Sequence, residues 1–261
     1  MRETERRRAA GELKTAAKTR RPIPPLSARL PGLDARDAYA IQLANVGERL
    51  AAGAIVRGHK VGLTSKAMQE MLGVYEPDYG HILDDMLVPA GGTVSIGRFL
   101  QPRVEIEIAF LLGRPLAGEA VAVADVLAAT AAVAPAIEII DSRIADWRIT
   151  LVDTIADNAS AGAVVVGPWV PLARAPSLPG IEAELFINGS TVASGSGAAV
   201  LGDPAEAVAW LARTLTALGS RLEASHVVMP GSCTKAVDVR AGDRVEGRFA
   251  GLGSVSVAFS S

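Results

Sequence analysis

A single cysteine, Cys233, stands among 261 residues, so no internal disulfide can form. That fits a reducing compartment and predicts a cytoplasmic protein. Aromatic residues make up only 4%, too few for a surface that stacks single-stranded bases, and a net charge of −2 gives no general attraction to phosphate backbones. Nucleic acid is therefore not an expected partner. No predominantly apolar, uncharged stretch reaches the roughly 18 residues that a membrane span needs. The richest segment, 126–140, is broken by Pro135 and Glu138. No GxGxxG or GxxxxGK[ST] pattern follows a strand-like run, which removes support for nucleotide-binding folds, and no internal repeat is present. The first 21 residues carry eight Lys/Arg against three Glu. No apolar segment of the kind a secretory signal requires follows them, so they read as a solvated helix, and the sequons at Asn158 and Asn188 carry no meaning.

Hydrophobic residues make up 49% and charged residues 21%, enough to bury a sizeable core. Pro22, Pro24, Pro25 and Pro31 predict a stiff linker over 21–33. Asp34 and Asp37 then open a helix whose apolar stripe is Tyr39, Leu43, Val46 and Leu50, and Gly53 ends it. This divides the chain into an N-terminal helical region, 1–53, and a main domain, 54–261. Residues 56–112 read as strand and loop, 121–132 as a helix stopping before Pro135, and 136–140 and 162–170 as strands. Asn188-Gly189 marks a hairpin turn. Asp203, Pro204 and Glu206 start a helix with the stripe Val208, Leu211, Leu215 and Leu218. Strands return at 227–229, 244–249 and 254–259. Many short strands and a few helices indicate an α+β fold around a mixed or antiparallel sheet.

The chemistry concentrates in Arg103-Val-Glu-Ile-Glu-Ile-Ala-Phe-Leu-Leu112, where Glu105 and Glu107 alternate with aliphatic residues. Alternation reads as a half-buried strand with both carboxylates on one face, about 7 Å apart. Like charges so placed repel unless a cation or a proton neutralises one. Glu138 lies in a second apolar run, Ala136-Ile-Glu-Ile-Ile140, and three strand carboxylates suit the all-oxygen shell of Mg²⁺ or Mn²⁺. Glu182 and Glu184 have the same spacing but neither a third acid nor polar Gly-rich loops nearby, and read as a solvated face. Lys60, in Arg57-Gly-His-Lys-Val-Gly-Leu-Thr-Ser-Lys66, can donate to an oxyanion or shuttle a proton; alternation turns His59 away from it. Asp78, in Glu76-Pro-Asp-Tyr-Gly80, is placed at a turn apex by its neighbours. Asp157, Asn158 and Ser160 form a polar segment at a strand mouth, where sites are commonly built.

From about residue 34 onward the chain resembles the 2-keto-4-pentenoate hydratases of the fumarylacetoacetate hydrolase superfamily. The resemblance rests on the ordered occurrence of Gly58-His-Lys-Val-Gly-Leu-Thr-Ser-Lys-Ala-Met68, Glu76-Pro-Asp-Tyr-Gly80, Gln101-Pro-Arg-Val-Glu-Ile-Glu107, Ala136-Ile-Glu138, Ser142-Arg143, Val152-Asp-Thr-Ile-Ala-Asp-Asn-Ala-Ser160 and Gly251-Leu-Gly-Ser-Val255. It implies a mixed β-sheet roll or barrel, Mg²⁺ or Mn²⁺ on Glu105, Glu107 and Glu138, catalytic roles for Lys60 and Asp78, and substrate binding by Ser160. It also implies a homo-oligomer, pentameric or decameric, that can associate with a downstream or paralogous pathway enzyme. The implied reaction is hydration of a small 2-hydroxydienoate, 2-hydroxypenta-2,4-dienoate, to 4-hydroxy-2-oxopentanoate in aromatic meta-cleavage catabolism. A 4-oxalocrotonate-type decarboxylase, an acylpyruvate hydrolase and a non-enzymatic, metal-stapled partner subunit are the alternatives. The decarboxylases' lysine loop reads more like Gly-Leu-Lys-Met-Gly-Leu-Thr-Ser-Trp, and the present loop favours the hydratase side.

The two Glu-x-Glu pairs make a controlled comparison. Glu107→Gln should abolish metal-dependent activity while leaving the fold, and Glu182→Gln should be nearly silent, as read by turnover and circular dichroism. Equal losses in the two variants would mean that the wrong pair has been assigned to the metal.

Overall fold

The computed structural model describes residues 1–65, 69, 74 and 76–261; residues 66–68, the end of the lysine motif, lie outside them. Helices α1 (Glu3–Thr19), α2 (Leu26–Arg29) and α3 (Ala35–Ala51) lead the chain. The basic N-terminus is helical as expected, with Arg7–Glu3 and Arg8–Glu12 pairs one turn apart on its outer side. It is not wholly solvated: Ala16 is buried, and Ala9, Ala10 and Leu13 are buried in a cluster with Leu26, Ala38, Ile41, Ile144 and Ile155. The proline-rich stretch is docked rather than free: Ile23 bridges to Ile144, and Leu26 is fully buried.

Asp34 caps α3 by accepting from the Asp37 amide, but the expected stripe is rotated. Ala38, Ile41, Gln42 and Val46 face inward, whereas Leu43 and Leu50 are 46% and 40% exposed. The reason is polar. Gln42 donates to the carbonyls of Tyr79 (3.0 Å) and Ile155 (2.8 Å), and its Oε1 meets His81 Nδ1 at 3.0 Å. A buried amide that satisfies three otherwise orphaned groups takes a core position that an apolar count assigns to leucine.

The strands are β1 (Val56–Gly62), β2 (Asp78–Leu83), β3 (Leu87–Val88), β4 (Thr93–Ser95), β5 (Arg103–Leu112), β6 (Thr130–Ile140), β7 (Ala161–Val166), β8 (Val170–Pro171), β9 (Glu182–Ile187), β10 (Ser190–Ser196), β11 (Val227–Met229), β12 (Val237–Asp238), β13 (Arg244–Phe249) and β14 (Gly253–Ser260). A mixed nine-stranded sheet runs β2-β1-β11-β5-β6-β7-β3, with β12 beside β5 and β8 beside β6; a five-stranded sheet runs β10-β9-β13-β14-β4. Asn188 and Gly189, both at positive φ, turn β9 into β10 as expected. The helix Pro204–Ala217 starts at Asp203 and buries Val208, Leu211 and Leu215, while Leu218 lies beyond its end, exposed.

Strand β6 begins six residues before the expected start, and Pro135 lies inside it. Pro135 stands opposite Ile108 of β5, and its carbonyl accepts from Gly167. Its ring nitrogen faces the same way, towards the place where β6 changes partner from β7 to β8. No ladder amide is needed there, so the proline does not interrupt the sheet.

Alternation along β5 sorts the two faces. Val104, Ile106, Ile108 and Phe110 enter the core between the sheets with Leu185, Val245, Phe249 and Val257. The other face carries Glu105, Glu107 and Ala109, and β6 presents Ala136 and Glu138 beside them. Strand β5 is more deeply covered than a half-buried strand, since Glu107 is fully buried.

Gln42→Leu makes the inward face of α3 more apolar, yet it should destabilise the protein by about 1–3 kcal/mol by leaving two carbonyls and an imidazole without partners. Urea unfolding reads this directly, and a variant more stable than wild type would refute the assignment.

Candidate metal centre and active site

Antiparallel pairing of β5 with β6 sets Glu105 directly opposite Glu138 and Glu107 opposite Ala136. Directly opposed side chains share a face, so all three carboxylates converge, and oxygens of Glu105, Glu107 and Glu138 lie within 4.8 Å of one another. Among the described residues this is the one acid, histidine or cysteine cluster of metal-binding geometry. Glu107 and Glu138 are fully buried, and Glu105 is partly covered. The Gly231 amide donates to Glu107 Oε2 at 2.8 Å. Among the described residues no hydrogen bond reaches Glu107 Oε1 or either oxygen of Glu138. Buried carboxylate oxygens left without donors are what a hard divalent cation satisfies, and the all-oxygen donor set matches Mg²⁺ or Mn²⁺.

The electrostatics agree. Burial, then the charge of Glu138, pushes the Glu105 carboxyl up to about 7. Burial and its two glutamate neighbours hold Glu107 well above the carboxylate range. Burial also raises Glu138, against the opposing pull of the Lys60 ammonium.

Lys60 extends from β1 towards this face. Its Nζ donates to the Ala159 carbonyl at 2.9 Å and lies 3.5 Å from Glu138 Oε1, an ion pair rather than a hydrogen bond. Burial alone would lower its pKa, but Glu138 and Asp78 outweigh that and keep it above the ordinary value. Asp78 is not at a turn apex: it begins β2, paired with Gly62, and is buried. Pairing with β1 converts the Pro-Asp-Tyr-Gly signal into a strand start. A Cβ on Gly62 would sit 2.2 Å from Asp78 Oδ1 and 3.4 Å from Lys60 Nζ, so glycine there leaves the room that the carboxyl occupies. Burial raises the Asp78 pKa, with Lys60 opposing.

His59 turns to the opposite face as expected, its ring 4.8 Å from His81 and 5.6 Å from His226. Burial and those neighbours hold it well below the usual histidine range. Glu182 and Glu184 are exposed on β9, in line with the solvated reading.

Ser160 is buried and its hydroxyl has no partner among the described residues. The expected strand mouth is the helix Leu151–Ala156 followed by a turn in which Asn158, Ala159 and Ser160 all have positive φ (55°, 50° and 54°). Arg143 braces it: its amide donates to Asp157 Oδ2 at 2.8 Å, and its guanidinium binds the Asp157 carboxylate and carbonyl. The sequence reading assigned no role to this pair, to the Gly231 amide or to the Ala159 carbonyl. Only the Asn, a residue tolerant of positive φ, signalled the turn. A cavity of about 660 Å³ between the N-terminal helices and the sheet is lined by Arg143, Asp157 and Asn158 but by neither Lys60, Asp78 nor the three glutamates, so it lies behind the turn rather than over the carboxylates.

Residues 60–259 match the family model described as fumarylacetoacetate (FAA) hydrolase C-terminal. A 2-keto-4-pentenoate hydratase of Paraburkholderia xenovorans (strain LB400) is 43% identical over 257 residues, covering 98% of this chain and 96% of the relative. A 2-hydroxyhexa-2,4-dienoate hydratase of Comamonas testosteroni is 43% identical over 247 residues, 94% of each chain. Among solved structures, 4-oxalocrotonate decarboxylase from Pseudomonas putida G7, complexed with magnesium and adipate, superposes with a TM-score of 0.96 at 34% identity, covering 99% of this chain and 98% of that one.

Carboxylates whose pKa rises on folding bind more protons folded than unfolded, so the metal-free protein should lose stability as pH rises from about 5 through 7. A cation competes with those protons. Stabilisation by Mn²⁺ should therefore grow across the same interval, as measured by thermal unfolding with and without the ion. A Mn²⁺ effect independent of pH would argue against the three-glutamate site.

Proposed function

The chain belongs to the fumarylacetoacetate hydrolase family, and we propose that it hydrates 2-hydroxypenta-2,4-dienoate to 4-hydroxy-2-oxopentanoate at the face built by β1, β2, β5 and β6. The observation that carries the site is the opposed Glu105–Glu138 pair, with orphaned oxygens beside the buried Lys60 ammonium. The hydratase names of relatives at 43% identity over nearly the whole chain support the reaction over decarboxylation, whose structural relative stands at 34%. The reaction takes place in the cytoplasm as a step of aromatic catabolism.

Glu105, Glu107 and Glu138 would hold the cation, Mg²⁺ or Mn²⁺. When bound, a divalent ion there supplies Lewis-acid polarisation of the 2-oxo group. In the first stage the enol oxygen at C2 loses its proton and C5 gains one, leaving a double bond between C3 and C4 conjugated to the ketone. In the second, water adds its oxygen to C4 and a proton reaches C3. Lys60 and Asp78 carry these transfers between them: both are buried, both face the trio, and the charge of each favours the ionised form of the other. Ser160 offers an unpartnered buried hydroxyl for a substrate oxygen.

The protein assembles as a ring of identical subunits. Leu43 and Leu50 on α3, together with Ile55, are exposed apolar side chains that a neighbouring subunit could cover, which supports this reading. Light scattering at micromolar concentration should give several times the 27 kDa chain mass; a fully active 27 kDa monomer would reject the ring and leave the chemistry standing.

Ultraviolet-monitored turnover of 2-hydroxypentadienoate should be lost with EDTA, restored by Mg²⁺ or Mn²⁺, and yield 4-hydroxy-2-oxopentanoate without CO₂. Lys60→Ala and Asp78→Asn should each lower kcat by at least about 10²-fold while Mn²⁺ still binds. Carbon dioxide release would move the assignment to a decarboxylase, and wild-type kinetics in either variant would remove that residue from the mechanism.

A further inference from the structure

We propose that Asn158 is a positioning residue: its side-chain amide sets the left-handed turn whose Ala159 carbonyl holds Lys60 in place. Three consecutive non-glycine residues at positive φ, 158–160, are a conformation that only surrounding contacts can impose. The amide supplies the most direct of these. Asn158 Oδ1 accepts from the His81 amide at 2.8 Å, and Asn158 Nδ2 donates to the His81 carbonyl at 3.0 Å. Strand β2 is the edge of the nine-stranded sheet, and His81 pairs with His59 of β1 on its inner side. The side chain therefore completes the outer ladder at one residue, in place of a further strand. Gly80 lets the turn settle onto β2, since a Cβ there would lie 2.3 Å from the Asn158 carbonyl oxygen. Arg143 fixes the preceding Asp157 from the other side.

The turn delivers two polar groups to the chemistry, the Ser160 hydroxyl and the Ala159 carbonyl, and the carbonyl is the one that reaches Lys60. Lys60 has a flexible four-carbon stem, and its Nζ is held by the Ala159 carbonyl and by the Glu138 carboxylate. Glu138 belongs to the metal trio, so the carbonyl is the neutral acceptor that can fix the ammonium independently of the ion. Moving that carbonyl moves Lys60 without touching a carboxylate. Asn158 thus acts on proton transfer at a distance, through the backbone of its neighbour.

This rests on the hydratase reading, and the two can fail separately. If wild-type protein leaves 2-hydroxypentadienoate unchanged, the reading falls, and a crystal structure of Asn158→Gly tests the positioning without turnover. There the Ala159 carbonyl should swing away and Lys60 Nζ should lie beyond hydrogen-bonding reach of it; an unchanged contact overturns the proposal. With an active wild type, Asn158→Ala should lower kcat by about 10–100-fold, as misplacement of a reacting group by an ångström does. Mn²⁺ affinity by calorimetry should stay within about threefold of wild type, because no carboxylate of the trio is touched. Asn158→Gly tolerates the left-handed backbone but lacks the amide, so it should show the same loss; wild-type kcat in it would mean that backbone preference alone is at work. In a Lys60→Met background, Asn158→Ala should change the residual rate by less than about threefold, because its route to the reaction is already gone. Full additivity of the two losses would make Asn158 merely structural and overturn the proposal. Should Asn158→Ala fail to fold, Gly80→Ala displaces the same turn from beneath and should reproduce the kinetics.

Discussion

Two carboxylates opposed across adjacent strands, with a third one pleat away, impose the condition that the rest of the molecule meets. Glu107 and Glu138 are fully buried and cannot all remain charged without compensation. Among the described residues the structure answers with one buried ammonium, Lys60, one backbone donor, Gly231, and several carboxylate oxygens left without a donor. One ammonium among the three glutamates and Asp78 leaves a deficit of positive charge. A divalent ion removes it, and the raised pKa values of the glutamates express the same deficit in protons.

The scaffold keeps that face narrow in chemistry and open in space. Ala109 and Ala136 border the glutamates, Gly62 and Gly80 lie on the neighbouring strands, and Val104, Ile106, Ile108, Phe110, Ile137 and Ile139 are turned into the inter-sheet core. The three histidines cluster together on the far side of β1 and β2, so no imidazole competes with oxygen for the ion. Hard-cation preference thus follows from which pleat each residue occupies.

Much of this was legible in the sequence because it obeys a period of two. Glu105 and Glu107 on one face, His59 opposed to Lys60, the solvated Glu182 and Glu184, and the Asn-Gly hairpin are all consequences of strand alternation and turn chemistry. What escaped depends on partners distant in the chain. Asp78 reads as a turn former until β1 pairs with it. Leu43 outranks Gln42 on any apolar count, and only the carbonyls of Tyr79 and Ile155 explain the reversal. Residues 158–160 carry no pattern that announces three left-handed conformations, since Ala and Ser disfavour them locally. The Arg143–Asp157 brace that sustains the turn is invisible until the fold brings it together.

Pro135 has a further significance for how the chain finds this arrangement. Sliding β6 by a single residue against β5 would turn the strand over, sending Glu138 into the layer of Ile106 and Val257 and Ile137 onto the carboxylate face in its place. The same slip would aim the proline's ring nitrogen at β5, where the ladder demands a donor that it lacks. In the native alignment the ring nitrogen instead meets the gap between β7 and β8. A proline in mid-strand, harmless at one alignment and costly at its neighbours, makes misalignment unprofitable during folding. The chain thereby selects the one pairing that brings its carboxylates together before any ion has arrived.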